Sequence, residues 1–552
     1  MAEIKLVPRS EVDPSITWDM TLLYPSDEAF YAELENLKKE MKAFKEKYEN
    51  NLGDLEVLDE AIRQYEAIEL AVYRASHYAE LPMTVDRLNP KVVENATAFE
   101  AVSVSYAENM SFVMTEIISL DEVFLNKFVA EKRPDLAYFV EKVIRQKKHT
   151  LSKDAEQVLS NLSSLPGFYQ LYEVTKHEDM QFESFEANGK TLENSFVLYE
   201  NLHEMDPDKE VRRAAAKSFY KTLNAYKNTV ANEYISELKK EKMMATMRGY
   251  DSVIDYLLDD QDGDRELYDR QIRMLMTDLA PHMQRYIKLL AKEHGISDMQ
   301  FMDAKINLDP DFEVDMTIEE SREYLKKALG ILGEDYKAMI DESYDKRWTD
   351  FPQNIGKSTG GFCATVPNVA GFILLSWTGK MNEVFVLAHE LGHAYHFMST
   401  GKHQSILNNE CSLYFVEAPS TCNEVIVSNY LLKTSTDARF KRWVISNMIS
   451  RTYFHNMVTH YMEAVYQDRI YKMIDNNEML NADVLSNVKK EVMQEFFGDS
   501  LVVNEGAELT WMRQPHYYMG LYPYTYSAGL TIGTAIANQI EENPEHAKVW
   551  LD

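Results

Sequence analysis

The chain has 552 residues, 45% hydrophobic and 27% charged, which are globular proportions in a chain long enough for two lobes or two closely packed domains. Its formal net charge of −31 argues against nucleic acid and anionic membrane surfaces as partners, because both are negatively charged. Three cysteines, a start without a secretory pattern and the lack of any apolar stretch of about 18 residues favour a cytoplasmic protein without a disulfide framework.

The first eighty residues carry the pattern of an antiparallel helical hairpin. Apolar residues recur at alternating spacings of four and three from Phe30 to Tyr48, Gly53 interrupts the pattern, and it restarts from Leu55 to Val72. Similar helical patterns fill residues 90–160 and 207–247. Because Gly and Pro punctuate the chain rarely, the predicted fold class is mainly α.

A boundary between two domains is predicted near residue 195, after the turn-like sequence Glu186-Ala187-Asn188-Gly189. It divides the chain into an N-terminal helical domain, residues 1–195, and a second domain, residues 196–552, that holds the motifs described below.

Residues 347–378 break the helical pattern, since they collect Gly, Pro, Thr and β-branched or aromatic residues. This composition predicts short strands and turns in a small sheet. Gly360 and Gly361 allow a peptide backbone to approach closely. The strand around Phe372 either pairs with an extended peptide as an added strand or lies buried in the sheet. A phosphate loop is excluded, because the GxxxxGK order is missing.

The sequence FVLAHELGHAYHF contains two histidines four residues apart, His389 and His393. On a helix such residues face the same way, so their imidazoles can converge on one metal ion while Glu390 lies beside a metal-bound water. This pattern predicts a metal site that activates water.

A catalytic zinc ion takes three protein ligands and leaves one position open, so a third ligand is needed. A histidine six residues after the second motif histidine is excluded, because that position is Ser399. His396 lies on the same helix with poor tetrahedral geometry, so packing or substrate contact is its expected role. Downstream, Glu410, Glu417 and Glu424 are spaced seven apart, which predicts that they share one face of a second helix.

HELGH followed by EAPSTCNE resembles family M3 of the metallopeptidases, in which a glutamate ligand lies in an E-x-x-S-x-x-x-E segment. The resemblance implies that Glu417 is the third zinc ligand and Glu424 the second glutamate of the segment. Trp18-Asp19, the Arg248-Gly249-Tyr250 turn and a His- and Tyr-rich stretch near the C-terminus are similar to oligoendopeptidase F. Chains of that type usually continue beyond the position of Asp552, so this sequence is expected to be shorter than they are.

This resemblance implies a two-lobed helical metallopeptidase with a small β-sheet beside the zinc site and a deep substrate channel. Residues 196–552 would then be the catalytic domain, with one Zn²⁺ per chain and oligopeptides as substrates. The oligomeric state is not indicated. Glu424 can accept the free N–H of a zinc-bound histidine, which would fix the orientation of that ring; the alternative is a solvated charge. Glu410 is expected to be exposed at the start of its helix.

The stretch HYYMGLYPYTYS, from His516 to Ser527, is rich in tyrosine, and its Gly520 and Pro523 predict a loop. Phenols need partners for their hydroxyls, so such a cluster on a loop indicates a surface that faces a ligand. The resemblance implies that His516 and tyrosines of this loop bind the substrate and stabilise the oxyanion. The candidate tyrosines are Tyr522, Tyr524 and Tyr526. The alternative is an aromatic packing corner.

These residues predict hydrolysis of internal peptide bonds in short oligopeptides by a metal-activated water, with Glu390 as general base. An exopeptidase would need a group that captures a free terminus, and the sequence offers no identifiable one. A catalytically inactive peptide-binding protein would lack a ligand or the base, whereas His389, Glu390, His393 and Glu417 are all present.

Overall fold

The computed structural model describes residues 7–162, 167–358 and 360–552. Its N-terminal part is helical throughout: α1 (Asp27–Tyr48), α2 (Leu55–Val85), α3 (Pro90–Met110), α4 (Phe112–Ser119), α5 (Glu122–Glu131), α6 (Ala137–Lys147) and α7 (Lys153–Leu162). The predicted hairpin is confirmed, since α1 and α2 pack together and the apolar stripe of α1 is buried. Ser26 and Asp54 cap the two helices by accepting backbone N–H groups.

The middle of the chain is built around one long helix, α10. The elements of this part are α8 (Phe168–Val174), β1 (Phe185–Ala187), β2 (Lys190–Leu192), α9 (Phe196–Asn201), α10 (Lys209–Met247), α11 (Val253–Asp260), α12 (Arg265–Met274), α13 (Ala280–Glu293), α14 (Ile318–Ala328) and α15 (Glu334–Asp345). β1 and β2 form a small antiparallel hairpin.

A three-stranded sheet follows, as the composition of residues 347–378 predicted. Its strands are β3 (Thr349–Asp350), β4 (Phe362–Val366) and β5 (Ala370–Leu374). Their order is β3-β5-β4, with β5 parallel to β3 and antiparallel to β4. Both edges of β5 are therefore occupied, and every residue of β5 is buried.

The sheet order corrects one prediction about the substrate. Phe372 lies on the central strand, is 0% exposed and packs edge-to-face on Trp18, so neither its strand nor its side chain can pair with a peptide. Trp18 also donates its indole N–H to the carbonyl of Ile373, at 2.7 Å. The two edge strands of this sheet are the two-residue β3 and the five-residue β4, and the exposed Gly360 and Gly361 precede β4.

The C-terminal part is again helical. Its helices are α16 (Met381–His403), α17 (Leu413–Val416), α18 (Ala418–Thr434), α19 (Ala438–Asn447), α20 (His460–Asp475), α21 (Ala482–Phe497), α22 (Tyr522–Glu542) and α23 (His546–Leu551). Two short 3₁₀ helices, Ala507–Arg513 and Pro515–Tyr518, lie between α21 and α22. The mainly α prediction is confirmed, and among the described helices none is long and apolar enough to cross a membrane.

Two hydrophobic clusters divide the core. The first joins the N-terminal helices to the three-stranded sheet, α16 and α18, and the second joins α8–α13 to α20 and α21. Helix α22 contributes to both, through Leu530 in the first cluster and Tyr524 in the second. Since residues 1–195 contribute to both clusters, the boundary near residue 195 follows neither of them and stays a prediction.

Candidate active site

Helix α16 carries both motif histidines, and a carboxylate from another helix meets them. The Oε2 atom of Glu417 lies 3.2 Å from Nε2 of His389 and 3.4 Å from Nε2 of His393. Ligand atoms about 2.0–2.1 Å from one tetrahedral zinc ion lie roughly 3.4 Å apart, so these separations fit a shared ion. The donor set of two imidazoles and a carboxylate is also one that zinc accepts with a fourth position left open.

Glu417 reaches the histidines because α18 packs very closely on α16. A Cβ atom added at Gly392 would lie 2.6 Å from Cα of Ser420, so only glycine permits this approach. The contact is held by the Asn423 side chain, whose Nδ2 donates to the carbonyl of Ala388 at 2.8 Å. Glu417 itself sits at the junction of α17 and α18 and is 5% exposed.

Glu424 lies two turns further along α18 and holds one of the imidazoles. Its Oε1 accepts from Nδ1 of His389 at 2.7 Å, and its other oxygen accepts from the hydroxyl of Thr452. This contact leaves Nε2 of His389 free for a metal, because the Nδ1 atom carries the proton. The prediction that Glu410, Glu417 and Glu424 share one helix face is wrong for Glu410. This residue is exposed in the segment before α17.

Glu390 follows the first motif histidine on α16 and is 5% exposed. Burial raises the pKa of its carboxyl group, and the neighbouring His389 and His393 act against that rise. A Cβ atom at Gly361 would lie 3.3 Å from Oε1 of Glu390 and 3.1 Å from the Val386 side chain, so the glycine lets the backbone before β4 pack closely against the carboxylate. A substrate backbone that lies on β4 would pass close to this group.

The tyrosine-rich stretch is not a loop, which corrects the prediction. Residues Pro515–Tyr518 form a 3₁₀ helix, and Tyr522 begins α22. One face of α22 carries Tyr522, Tyr526, Gly529 and Gly533, at successive spacings of four, three and four. Added Cβ atoms at the two glycines would lie 2.5 Å from Glu417 Cβ and from Thr421 Oγ1. Close packing at the glycines therefore points the two tyrosines toward the same site.

His516 joins these two phenols. Its ring stacks on Tyr522 with centroids 5.1 Å apart and planes at 7°, and its Nε2 lies 3.4 Å from the hydroxyl of Tyr526. Burial, with the charges of Glu417 and Glu390, raises the pKa of Tyr522 to about 12. Burial lowers the pKa of His516 to about 4. Burial also raises the pKa of Tyr526 well above its ordinary value, so at neutral pH the three groups are uncharged and can donate hydrogen bonds.

Tyr524 lies on the opposite face of α22. It is 2% exposed, and its ring contacts Tyr268 at 4.8 Å and Tyr414 at 5.6 Å. The structure therefore groups Tyr522 and Tyr526 with His516 and places Tyr524 in the core. His396 also stays apart from the metal ligands, since its ring packs on Phe397 and Phe415, and burial lowers its pKa to about 4.

The structure also reveals a second cluster, with His460 and Glu463 buried and His455 exposed, that the sequence reasoning missed. His455, His460 and Glu463 lie beside His516: Nδ1 of His460 contacts Oε2 of Glu463 at 2.8 Å, and Nε2 of His460 contacts Nε2 of His455 at 3.1 Å. Their sequence, HNMVTHYME, offered one signal, because three ionisable residues occur among buried apolar neighbours.

Known families match most of the chain. Residues 202–549 match Peptidase family M3, and residues 116–182 match Oligopeptidase F. Oligopeptidase PepF of Bacillus subtilis (strain 168) is 28% identical over 549 residues, which cover 98% of this chain and 81% of the relative. An oligoendopeptidase F homolog of Borreliella burgdorferi is 27% identical over 98% of this chain and 91% of the relative.

Solved structures share the fold. An oligoendopeptidase-F from Enterococcus faecium superposes with a TM-score of 0.70 at 20% identity, over 95% of this chain and 90% of that chain. A candidate peptidase from Chlamydophila abortus gives a TM-score of 0.83 at 22% identity, over 99% and 92% of the two chains. Since the family match spans well over half of the sequence, the chain belongs to peptidase family M3 and is a metalloendopeptidase of the oligoendopeptidase F type.

Proposed function

We propose that this protein is a zinc-dependent endopeptidase that hydrolyses internal bonds of short oligopeptides. The observation that carries the proposal is the meeting of His389, His393 and Glu417 at zinc-ligand separations, with the buried carboxylate of Glu390 beside them. The relatives named oligoendopeptidase F or oligopeptidase support the same substrate class. Zinc held by the three ligands would act as a Lewis acid and would lower the pKa of a bound water molecule.

The roles of the chain's own residues follow from their positions. Glu390 accepts the proton of the attacking water and returns it to the leaving amine, which its raised pKa favours. Tyr522, Tyr526 and His516 are neutral donors on the other side of the site, suited to hydrogen bonds with the oxyanion of the tetrahedral intermediate. Glu424 holds His389 in the tautomer that leaves Nε2 free.

The substrate is proposed to bind as an added strand on β4. The free edge of β4 and the exposed Gly360 and Gly361 offer backbone groups beside Glu390. Helix α16, which carries the two histidines, belongs to the first hydrophobic cluster. Tyr517, next to His516, belongs to the second, so the peptide would lie between two lobes. An extended peptide fits such a cleft, whereas a folded domain is too wide to reach the metal.

A direct test uses short internally quenched peptides with both ends blocked, together with metal analysis. We expect one zinc per chain, cleavage at an internal bond, loss of activity with a chelator and recovery with added zinc. Reduced casein and a folded protein should be cut far more slowly than the short peptides under the same conditions. Release of terminal residues only, from unblocked peptides, would favour an exopeptidase, and the absence of stoichiometric metal would refute the zinc site.

A further inference from the structure

Glu463 and His460 form a buried pair at the start of α20. The two residues are one turn apart, are 2% and 3% exposed, and join through the 2.8 Å contact between Oε2 of Glu463 and Nδ1 of His460. Burial raises the pKa of Glu463, and the positive charges of Lys489 and Arg513 act against that rise. A buried carboxylate with cations nearby is an acceptor only, so it requires a proton on the Nδ1 atom that faces it.

A proton on Nδ1 of His460 also determines which nitrogen of the neighbouring His455 carries a proton. With its proton on Nδ1, neutral His460 presents a lone pair at Nε2, and the Nε2–H of His455 donates to it across 3.1 Å. The order Glu463, His460, His455 therefore has one consistent hydrogen-bond direction. The His460 ring is held in a fixed plane, because its rotation would leave its two buried nitrogen atoms and the Glu463 carboxylate without these partners.

The rings of His460 and His455 both contact Tyr526, one of the tyrosines at the candidate active site. Tyr526 stacks on His460 with centroids 4.0 Å apart and planes at 12°, and His455 contacts the Tyr526 ring edge-to-face with centroids 5.8 Å apart. His460 also packs edge-on against His516 at 5.1 Å. These ring contacts set the orientation of Tyr526. They thereby set the position of its hydroxyl, which lies 3.4 Å from Nε2 of His516.

We propose that Glu463, acting through His460, is a positioning residue that holds Tyr526 and His516 in the orientation needed to stabilise the oxyanion. The inference rests on the proposed peptidase function, since it assigns these two groups their role in that reaction. Glu463 contacts neither substrate nor metal in this scheme. Its effect is to raise turnover by fixing hydrogen-bond donors before the transition state forms, which lowers the cost of their alignment.

A second metal site is the alternative that the same residues raise. Donor atoms of His460, Glu463 and His516 lie within 4.8 Å of one another. However, the 2.8 Å contact is a hydrogen-bond distance, shorter than the roughly 3.4 Å between ligands of one tetrahedral ion. Lys489 borders the same pocket as Glu463, and its positive charge repels a cation, whereas Lys305 and Arg513 in that pocket are paired with Glu204. The geometry favours the positioning role.

A double-mutant cycle tests the proposal. Glu463→Leu should lower kcat about tenfold with KM nearly unchanged, while Glu463→Gln, which keeps an acceptor oxygen, should stay within about threefold of wild type. In a Tyr526→Phe background the same Leu substitution should have a clearly smaller effect than in wild type, because one of the two groups it positions is already gone. Glu241→Leu is the matched control, since Glu241 is also a buried carboxylate, 5% exposed, but lies on α10 and pairs with Tyr471 instead.

Additive effects of Glu463→Leu and Tyr526→Phe would overturn the proposal, and so would two zinc ions per chain of which one is lost in Glu463→Leu. If Glu463→Leu does not retain one zinc, the cycle is run with His460→Gln, which removes the ring that supports Tyr526. An additive result there also refutes the inference. Failure of the proposed function is distinguishable, because the wild-type protein would then show no zinc-dependent cleavage at all.

Discussion

Two clusters of this protein combine imidazoles with a buried carboxylate, and their surroundings give them different chemistry. At His389 and His393, carboxylates dominate: burial opposes protonation, yet Glu417 and Glu424 raise the pKa of His389 well above its ordinary value. At His460, burial prevails and nearby lysines add to it, so the pKa falls to about 3. An excess of negative charge prepares the first cluster for a cation, and the second remains neutral.

The geometry also favours an ion in the first cluster and hydrogen bonds in the second. In the first, two Nε2 atoms point at one oxygen of Glu417 from separations of 3.2 and 3.4 Å, which leaves space between them for an ion. In the second, the nitrogen atoms of His460 are already used by Glu463 and His455 at hydrogen-bond distances. The comparison teaches that residue types alone do not define a metal site; the direction of the lone pairs and the local charge do.

The sharpest way to break the comparison is one substitution made in both clusters. Glu390→Gln should lower kcat by about 10²–10⁴-fold while one zinc per chain remains, because it removes the proton acceptor and no ligand. Glu463→Gln, the same chemical change in the other cluster, should leave most of the activity. Steady-state kinetics with metal analysis measures both, and substantial turnover in Glu390→Gln would contradict the assigned base.

A second comparison uses the two faces of α22. Tyr526→Phe should lower kcat by about 10²-fold with little change in KM, because the phenol bonds strongly only to the transition state. Tyr522→Phe should lower kcat in the same sense. Tyr524→Phe is the matched control on the buried face, and its kcat should stay near that of wild type. Wild-type turnover in all three variants would show that the three hydroxyl groups have only a structural role.

The smallest effect is expected at Glu424. Glu424→Gln weakens the hydrogen bond that orients His389, so zinc affinity should fall by about 10–100-fold. At saturating zinc, kcat should be close to that of wild type, because neither the ligands nor Glu390 is changed. Competition with a chromogenic chelator measures the affinity, and Glu410→Gln serves as the control because Glu410 is exposed outside the site. Unchanged zinc affinity would show that Glu424 is only a charge on the helix.

Some errors of the sequence reasoning have identifiable physical causes. Pro523 is a loop signal in the sequence, but it lies in the first turn of α22, where the missing N–H of proline has no partner to lose. Similarly, Pro419 in the first turn of α18 marks a helix start, so a continuous helix from Glu410 to Glu424 was not available. The central place of β5 depends on pairing with β3, which no local pattern in the strand encodes.

The sequence by itself determined the helical class, the amphipathic hairpin from α1 to α2 and the pair His389 and His393, because a period of 3.6 residues converts spacing directly into a shared face. Tertiary structure alone decided which phenols face the metal site, which strand edge stays free and how His460 and Glu463 lie beside His516. These features depend on contacts between residues far apart in the chain, such as Gly529 against Glu417, and short-range periodicity carries no information about such distances.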